Sequence, residues 1–433
     1  MREKWILLLQ SGRMAQAQEL CRSLGVRLDV SEAVMQHTIL SKADFRDAVL
    51  RKIDLTGADI DGANFKGADL RGAILRRADL SDTRLVGADL RGATLEDGYL
   101  LNTVFHHADL RNADFQKATI CGAQFDGAAV TGATFGRAIY NSDTRWPDGF
   151  DHRNCGAIGP GANLPGADLV RAELEQEDLR DANLQGADLT GARMEGVTLI
   201  DANLMGAVLK NIDLEGADLQ GADLRSADLT GAALAGAFLH DVNLSGAILV
   251  GSRLSGASLE RALLRGAHLQ VTQLDGAALR DADLQDAHLA EALLQGAALF
   301  RARFAGADLT DANLQEASLY GAHFTNATLR GANLTSADLT DADFSGADLR
   351  GANLTCAIGH GVRFAGADLR GAILSGGHFH GADLSGADLR DAIMTDIIFE
   401  DAEYRPASDD PALSITRFPE GFLPNAHGMR VRG

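Results

Sequence analysis

The sequence predicts an all-β chain wound as a four-sided parallel β-helix in two blocks, with a short helical cap at the N-terminus. Three observations carry that reading. An apolar residue recurs at every fifth position, a small residue stands two places before each of them, and outward charges match at a spacing of twenty.

From Met35 to Tyr140 the fifth positions read Leu40, Phe45, Leu50, Leu55, Ile60, Phe65, Leu70 and onward through Phe125, Val130 and Phe135. A second run goes from Leu164 through Leu169, Leu174 and Leu179 to Phe399 and Tyr404, broken only at Gly359. Neither regular element fits this period. On an α-helix successive centres would step by about 140° net and spiral around the whole surface. On a flat strand an odd period would send every second Leu into water.

A turn after each short strand re-aims the chain, and the frequent Gly two places after the centre, as at Gly57, Gly62, Gly67 and Gly72, suits a tight corner. The centre and the Ala two places before it then point inward, while the Asp or Asn between them points out. Arg51, Arg71, Arg91 and Arg111 follow their centres at intervals of twenty, as do Arg330, Arg350, Arg370 and Arg390. Steps of fifteen from Arg51 reach Lys66, Ser81 and Glu96 instead, so four repeats make one coil.

The Ala-(Asp/Asn)-(Leu/Phe)-x-Gly run, as in Ala68-Asp69-Leu70-Arg71-Gly72 and Ala347-Asp348-Leu349-Arg350-Gly351, resembles the pentapeptide-repeat family. The resemblance covers about 80% of the chain and implies a right-handed four-sided β-helix, a pentapeptide-repeat solenoid. Local departures are Glu177 at an inward Ala position, the larger Ile53, Ile212 and Ile397 at others, and Gly359 at a centre.

Five segments follow. Residues 1–29 form an N-terminal helical cap, 30–140 the first block, 141–161 an interruption or capping loop, 162–404 the second block, and 405–433 a C-terminal cap. Met14, Ala17, Leu20, Cys21 and Leu24, with Gly25 as the stop, predict one helix over 3–24. The second run is out of phase with the first, and all seven prolines avoid the interior of the regular coils: Pro147, Pro160 and Pro165 lie in or at the edge of the interruption, and Pro406, Pro411, Pro419 and Pro424 follow the last centre. Thr144-Arg145-Trp146-Pro147-Asp148-Gly149-Phe150 returns as Thr416-Arg417-Phe418-Pro419-Glu420-Gly421-Phe422. Trp146, Phe150, Phe418 and Phe422 are therefore expected to cover the ends of their blocks, as solenoids require.

The formal net charge of −20 argues against direct nucleic-acid binding, which needs clustered cations. The charge is uneven, about −1 over residues 41–140 and about −19 over 161–433. Cys21, Cys121, Cys155 and Cys356 lie too far apart for a disulfide framework or a zinc motif. Ile6–Leu9 is too short an apolar stretch for a secretory leader and no segment approaches a membrane span, so the expected setting is the cytoplasm.

Chemistry-bearing residues are few. His268 with His288, and His360 with His380, stand twenty apart, yet two imidazoles fall short of a zinc site and read as surface histidines. Asp143, Asp148, Asp151, His152 and Cys155 crowd the interruption without a nucleophile–base–orienter order. Gly156 to Gly161 reads as a flexible return into the coil. The two Arg ladders are the least ordinary feature, because like charges on adjacent strands repel; Asp69, Asp89, Asp109, Asp348, Asp368 and Asp388 stand two places earlier as counter-charges. Glu175, Glu195 and Glu215 form an acidic column, and Asn313, Asn333 and Asn353 an amide ladder.

The expected function is that of a non-enzymatic scaffold or interaction rod for a protein partner, with no catalytic residue, metal or cofactor. The family resemblance implies an alternative: an acidic, duplex-mimicking regulator or protector of a type II topoisomerase such as gyrase.

Overall fold

The computed structural model describes residues 2–406 and 415–432. Pro411, with the rest of 407–414 of the predicted C-terminal cap, lies outside the described residues. The chain forms two compact units, Met1–Leu164 with Asp178–Ala182, and Pro165–Glu177 with Asn183–Gly433.

One repeat shows why the sequence winds as it does. The Ala68 amide donates to the Phe65 carbonyl at 3.0 Å and closes a β-turn, at whose third position Gly67 sits in the left-handed region with φ +67°. Gly67 N–H donates to Val86 O in the next coil, Asp69 N–H to Ala48 O in the preceding one, and Leu70 N–H to Asp89 O in the next. The remaining donor, Lys66 N–H, is taken by the Asn64 side-chain Oδ1 at 3.1 Å. Every backbone donor of the repeat is thus satisfied.

The Asp or Asn before each centre therefore has a job that the outward-facing reading missed. Its side chain holds the amide two residues on, as Asp188 does for Thr190 and Asn333 for Thr335. Parallel pairings run from each outward residue to the one twenty further, Asp69 to Asp89 and Asn333 to Asn353 among them. That step makes the coil four-sided, a right-handed quadrilateral β-helix.

Inside, the centres stack in columns. Phe304, Phe324, Phe344 and Phe364 lie ring over ring with centroids 4.6, 4.7 and 5.5 Å apart, and Phe45 stacks on Phe65 at 4.8 Å. These are offset or parallel contacts at strand spacing. Ile53, Ile212 and Ile397 are buried, whereas Glu177 is only half-buried. Where Thr or Ser replaces the inward Ala, the hydroxyl finds a carbonyl: Thr83 donates to Ile60 O, Thr103 to Leu80 O and Thr272 to Leu249 O. Gly359 does not leave its centre empty. A Cβ there would stand 2.7 Å from Phe379 Cδ1, and Gly377 faces the same ring, so the two glycines make room for one Phe.

The predicted single N-terminal helix is two. Helix α1 spans Arg2–Gln10 and α2 spans Met14–Leu24. Gly12, at φ +72°, breaks the run, and Gly25 ends α2 at φ +62° with its amide on Arg22 O. Trp5 and Leu9 of α1 and Ala17 and Cys21 of α2 are buried. Two glutamines reach edge carbonyls of the first coil, Gln10 donating to Val34 O at 3.3 Å and Gln18 to Asp44 O. The last described rung pairs strand β1 (Glu403–Tyr404) in parallel with β2 (Arg430–Val431).

Candidate interaction surface

The arginine ladders sit at the position just after the centre, where the turn lifts the side chain off the coil. Arg71 closes a fork on its own Asp69, Nε to Oδ1 at 2.8 Å and Nη2 to Oδ2 at 2.7 Å, and its Nε lies 3.5 Å from Asp89 of the next coil. Arg91 repeats this with Asp89 and Asp109, and Arg111 closes on Asp109. Arg51 lacks an acid two places earlier and takes Asp69 of the next coil at 2.5 Å.

The second ladder has the same grammar. Arg350 closes on Asp348 and lies 3.5 Å from Asp368; Arg370 closes on Asp368 and Arg390 on Asp388. Arg417 approaches Asp388 at 3.5 Å. Arg330, with Thr two places earlier, makes no ion pair among the described residues. The hydrogen bond from its own arginine holds each of Asp69, Asp109, Asp348, Asp368 and Asp388 below the usual carboxylate range. Each ladder is thus an alternating lattice of charge, and the like-charge repulsion expected of stacked arginines is offset by interleaved carboxylates.

The acidic column is broken by cations from the neighbouring column. Arg193 reaches Glu175 at 3.0 Å and Arg253 reaches Glu215 at 3.7 Å, whereas Glu195 has no ion pair among the described residues. In the amide ladder Asn333 Nδ2 donates to Asn313 Oδ1 at 3.0 Å. His268 and His288 stack at 4.8 Å, and His360 meets His380 edge-on at 6.2 Å. No group of three or more His, Cys, Asp or Glu among the described residues could hold a metal ion.

In the interruption the thiol of Cys155 donates to the His152 carbonyl at 2.9 Å, away from the imidazole, which stacks on Trp146 at 5.5 Å. Burial holds the His152 pKa down and pushes that of Cys155 up, which keeps both groups neutral near pH 7. The stretch from Gly156 is no loose return: Ile158 is a rung, its amide on Ala138 O at 2.7 Å and its carbonyl accepting from Tyr140 N–H at 2.9 Å. Arg145 supplies another rung, paired with Gln124.

The two related segments make the same contacts in their own units. Thr144 Oγ1 donates to Ile120 O at 3.0 Å and Thr416 Oγ1 to Leu384 O at 2.7 Å. Each hydroxyl also accepts two backbone amides, those of Gly122 and Asn141 in the first and of Gly386 and Arg405 in the second, at 3.0 to 3.2 Å. The aromatics then extend the core columns. Trp146 stacks on Phe125 at 5.5 Å, Phe150 leans on Phe135 at 5.6 Å, Phe418 meets Tyr404 at 5.7 Å, and Phe422 meets Phe399 at 6.3 Å. No helix among the described residues is long and apolar enough to cross a membrane.

The model for pentapeptide repeats in eight copies matches residues 29–67, 58–97, 99–137, 161–196, 202–241, 222–261, 243–281, 277–316, 317–355 and 362–401. Among solved structures, the chain is similar to HetL, a pentapeptide repeat protein involved in heterocyst differentiation regulation in the cyanobacterium Nostoc, at 29% identity over 60% of this chain and 99% of that one, TM-score 0.25. A pentapeptide repeat protein of the Arabidopsis thaliana thylakoid lumen is 33% identical over 23% of this chain and 67% of its own, TM-score 0.14. QnrB1, a plasmid-mediated fluoroquinolone resistance protein, is 17% identical over 57% and 90%, TM-score 0.21. No curated protein matches the chain.

Proposed function

Because this chain belongs to the pentapeptide-repeat family, we propose that it is a non-enzymatic scaffold whose outward faces bind a protein partner. One observation carries the reading. Each repeat uses its backbone donors and both inward side chains to build the coil, so only the outward positions are left to carry a function. Those positions are stacked at strand spacing and present long ordered arrays of side chains. The proposed setting is the cytoplasm, with no cofactor.

The test uses the full chain as immobilised bait in a native lysate, beside variants in which the outward residues of one face are exchanged. A partner kept by the parent and lost from one face variant supports the scaffold. Retention of no partner, together with turnover in a broad metabolite screen that His152→Ala abolishes, would overturn it.

A second reading, protection or inhibition of a type II topoisomerase by duplex mimicry, is favoured by one feature of the second unit. Asp201, Asp241, Asp281, Asp341 and Asp401 occupy the same corner column, with one or two coils between each and the next. It ranks second because Arg261 and Arg301 interleave at that corner and close on Asp241 and Asp281. A gyrase supercoiling assay showing neither inhibition nor protection at micromolar protein removes it.

A further inference from the structure

We propose that the cleft formed by Arg280, Phe300, Arg301 and Tyr320 is a docking site for an extended protein segment presenting an apolar side chain beside a carboxylate. This deepens the scaffold reading and rests on it.

Arg280, Phe300 and Tyr320 occupy one corner position of three successive coils, twenty residues apart. The outward positions before their centres carry Ala278, Ala298 and Ser318, paired in register on adjacent coils. A cleft of about 280 Å³ is lined by Arg280, Phe300, Arg301 and Tyr320. Its aromatic wall is open to solvent, with Phe300 38% and Tyr320 44% exposed. Elsewhere in this unit large apolar side chains point out mostly one at a time; here two aromatics stand on successive coils beside two arginines.

The charge at the cleft defines the rest of the ligand. The Asp281 carboxylate is held by Arg301 through a fork, both contacts at 2.7 Å. Arg280 Nε lies 3.5 Å from the same carboxylate, and its guanidinium makes no hydrogen bond among the described residues. The cleft lining itself thus carries two guanidinium groups, which share the one carboxylate of Asp281, on a chain whose formal net charge is −20. A planar guanidinium with free terminal nitrogens accepts a carboxylate through two parallel hydrogen bonds. Aromatic rings beside arginine are the composition of interface hot spots.

Arg261, Arg280 and Arg301 stand against Asp241, Glu260 and Asp281 here, so no net positive charge is left to hold a polyanion, which excludes a nucleic-acid strand as the occupant. An apolar side chain packs against the exposed Phe300 and Tyr320, while the acid beside it closes on Arg280.

The probe is a displayed library of random unstructured dodecapeptides, panned against the folded full-length chain. The expected result is enrichment of peptides with Asp or Glu next to Leu, Phe or Trp. Their binding should fall roughly tenfold or more with Arg280→Glu and with Tyr320→Ser, and stay unchanged with Arg330→Glu, a lone cation on another face. All three side chains are solvent-exposed, and unchanged melting curves verify that the variants fold. Enriched peptides indifferent to Arg280→Glu and Tyr320→Ser overturn this site while leaving the scaffold reading intact. Enrichment of nothing, or of peptides without the acidic–apolar signature, also overturns it, and the lysate experiment then decides the scaffold reading independently.

Discussion

Asp47 folds its carboxylate over Gly67, twenty residues further along the chain, with Oδ1 2.5 Å from where a Cβ on that glycine would stand. Asp47 is itself left-handed, at φ +58°. The same pairing joins His37 to Gly57, Asp286 to Gly306 and Asp341 to Gly361. At these corners the polar side chain fills the space that a Cβ in the next coil would need, whereas Asp241 and Asp281 turn aside to pair with Arg261 and Arg301 at the corner of the next coil. Gly67→Ala meets both a left-handed backbone and the Asp47 carboxylate and is expected to cost about 1–2 kcal/mol. Asp47→Gly in the same chain should return part of that loss, because the two positions touch. Denaturant melts of the two single variants and the double variant check it; strict additivity would show that the contact carries no energy.

The reverse substitution should stabilise. Val271 holds φ +57° at a corner, where a β-branched side chain is most strained, and it is exposed. Val271→Gly relieves the strain at the cost of extra freedom in the unfolded chain, for a net gain of about 0.5–1 kcal/mol. A melting temperature at or below that of the parent would place the strain elsewhere.

Restoring the repeat consensus at Gly359 should do harm. The space of the missing Leu is filled by Phe379, so Gly359→Leu overpacks the core and is expected to cost about 1–3 kcal/mol. Phe379→Leu in the same chain should recover most of it. Comparison of thermal melts for the single and double variants measures the coupling, and an unperturbed single variant would contradict the packing.

The ladders make stability depend on acid in a stated direction. Asp69, Asp109, Asp348, Asp368 and Asp388 titrate below their ordinary range because a guanidinium hydrogen-bonds each one. A carboxylate whose pKa is lower in the folded chain than in the unfolded one stabilises the fold above about pH 4, and that contribution disappears as pH falls through the folded values. The melting temperature should therefore decline progressively below about pH 4. Replacing Asp348, Asp368 and Asp388 together by Asn should lower it at neutral pH and shrink the acid-dependent part. An equally steep decline in that variant would assign the effect to other carboxylates.

Much of this was legible before any coordinates. The fifth-position centres, the step of twenty and the related terminators are properties of repetition, and repetition survives translation into space because each coil contacts only its neighbours. What escaped lies in single residues acting outside their repeat. Gly12 splits the cap helix, and the helical spacing of Met14, Ala17 and Cys21 lies wholly after it, so that periodicity registers nothing of the left-handed residue before it. Gly359 read as a vacancy because the ring that fills it belongs to Phe379, one coil away. The Arg280 cleft was invisible because its meaning depends on three successive coils bringing Arg280, Phe300 and Tyr320 together and on Arg301 having already claimed Asp281. The sequence signal that could have found it is the run of two aromatics at one corner column, Phe300 and Tyr320.

The hydroxyl of Thr416 should matter more than that of Thr144, although the two are chemically alike. Both donate to a carbonyl of the last regular coil and accept two amides that would otherwise have no next coil to meet. In the first terminator the Gly122 amide has a second acceptor, Asn141 Oδ1 at 2.9 Å. Among the described residues Gly386 has only Thr416. Thr416→Val therefore leaves two half-buried amides without a protein acceptor, at a cost towards the lower end of about 1–3 kcal/mol for each group, whereas Thr144→Val leaves Gly122 served. Thr416→Ser should restore stability, since it keeps the oxygen. The same logic extends to the aromatics: Phe418 and Phe422 cover Tyr404 and Phe399, so deleting residues 405–433 bares that coil and its unpaired strand edges, which invites association with other chains. Light scattering is expected to show oligomers of the truncated chain at unchanged β-sheet circular dichroism, and Trp146→Ala to show only a lower melting temperature. A truncated chain that stays monomeric and melts like the parent would mean that the terminator covers nothing the fold needs, and would turn its aromatics into candidates for binding.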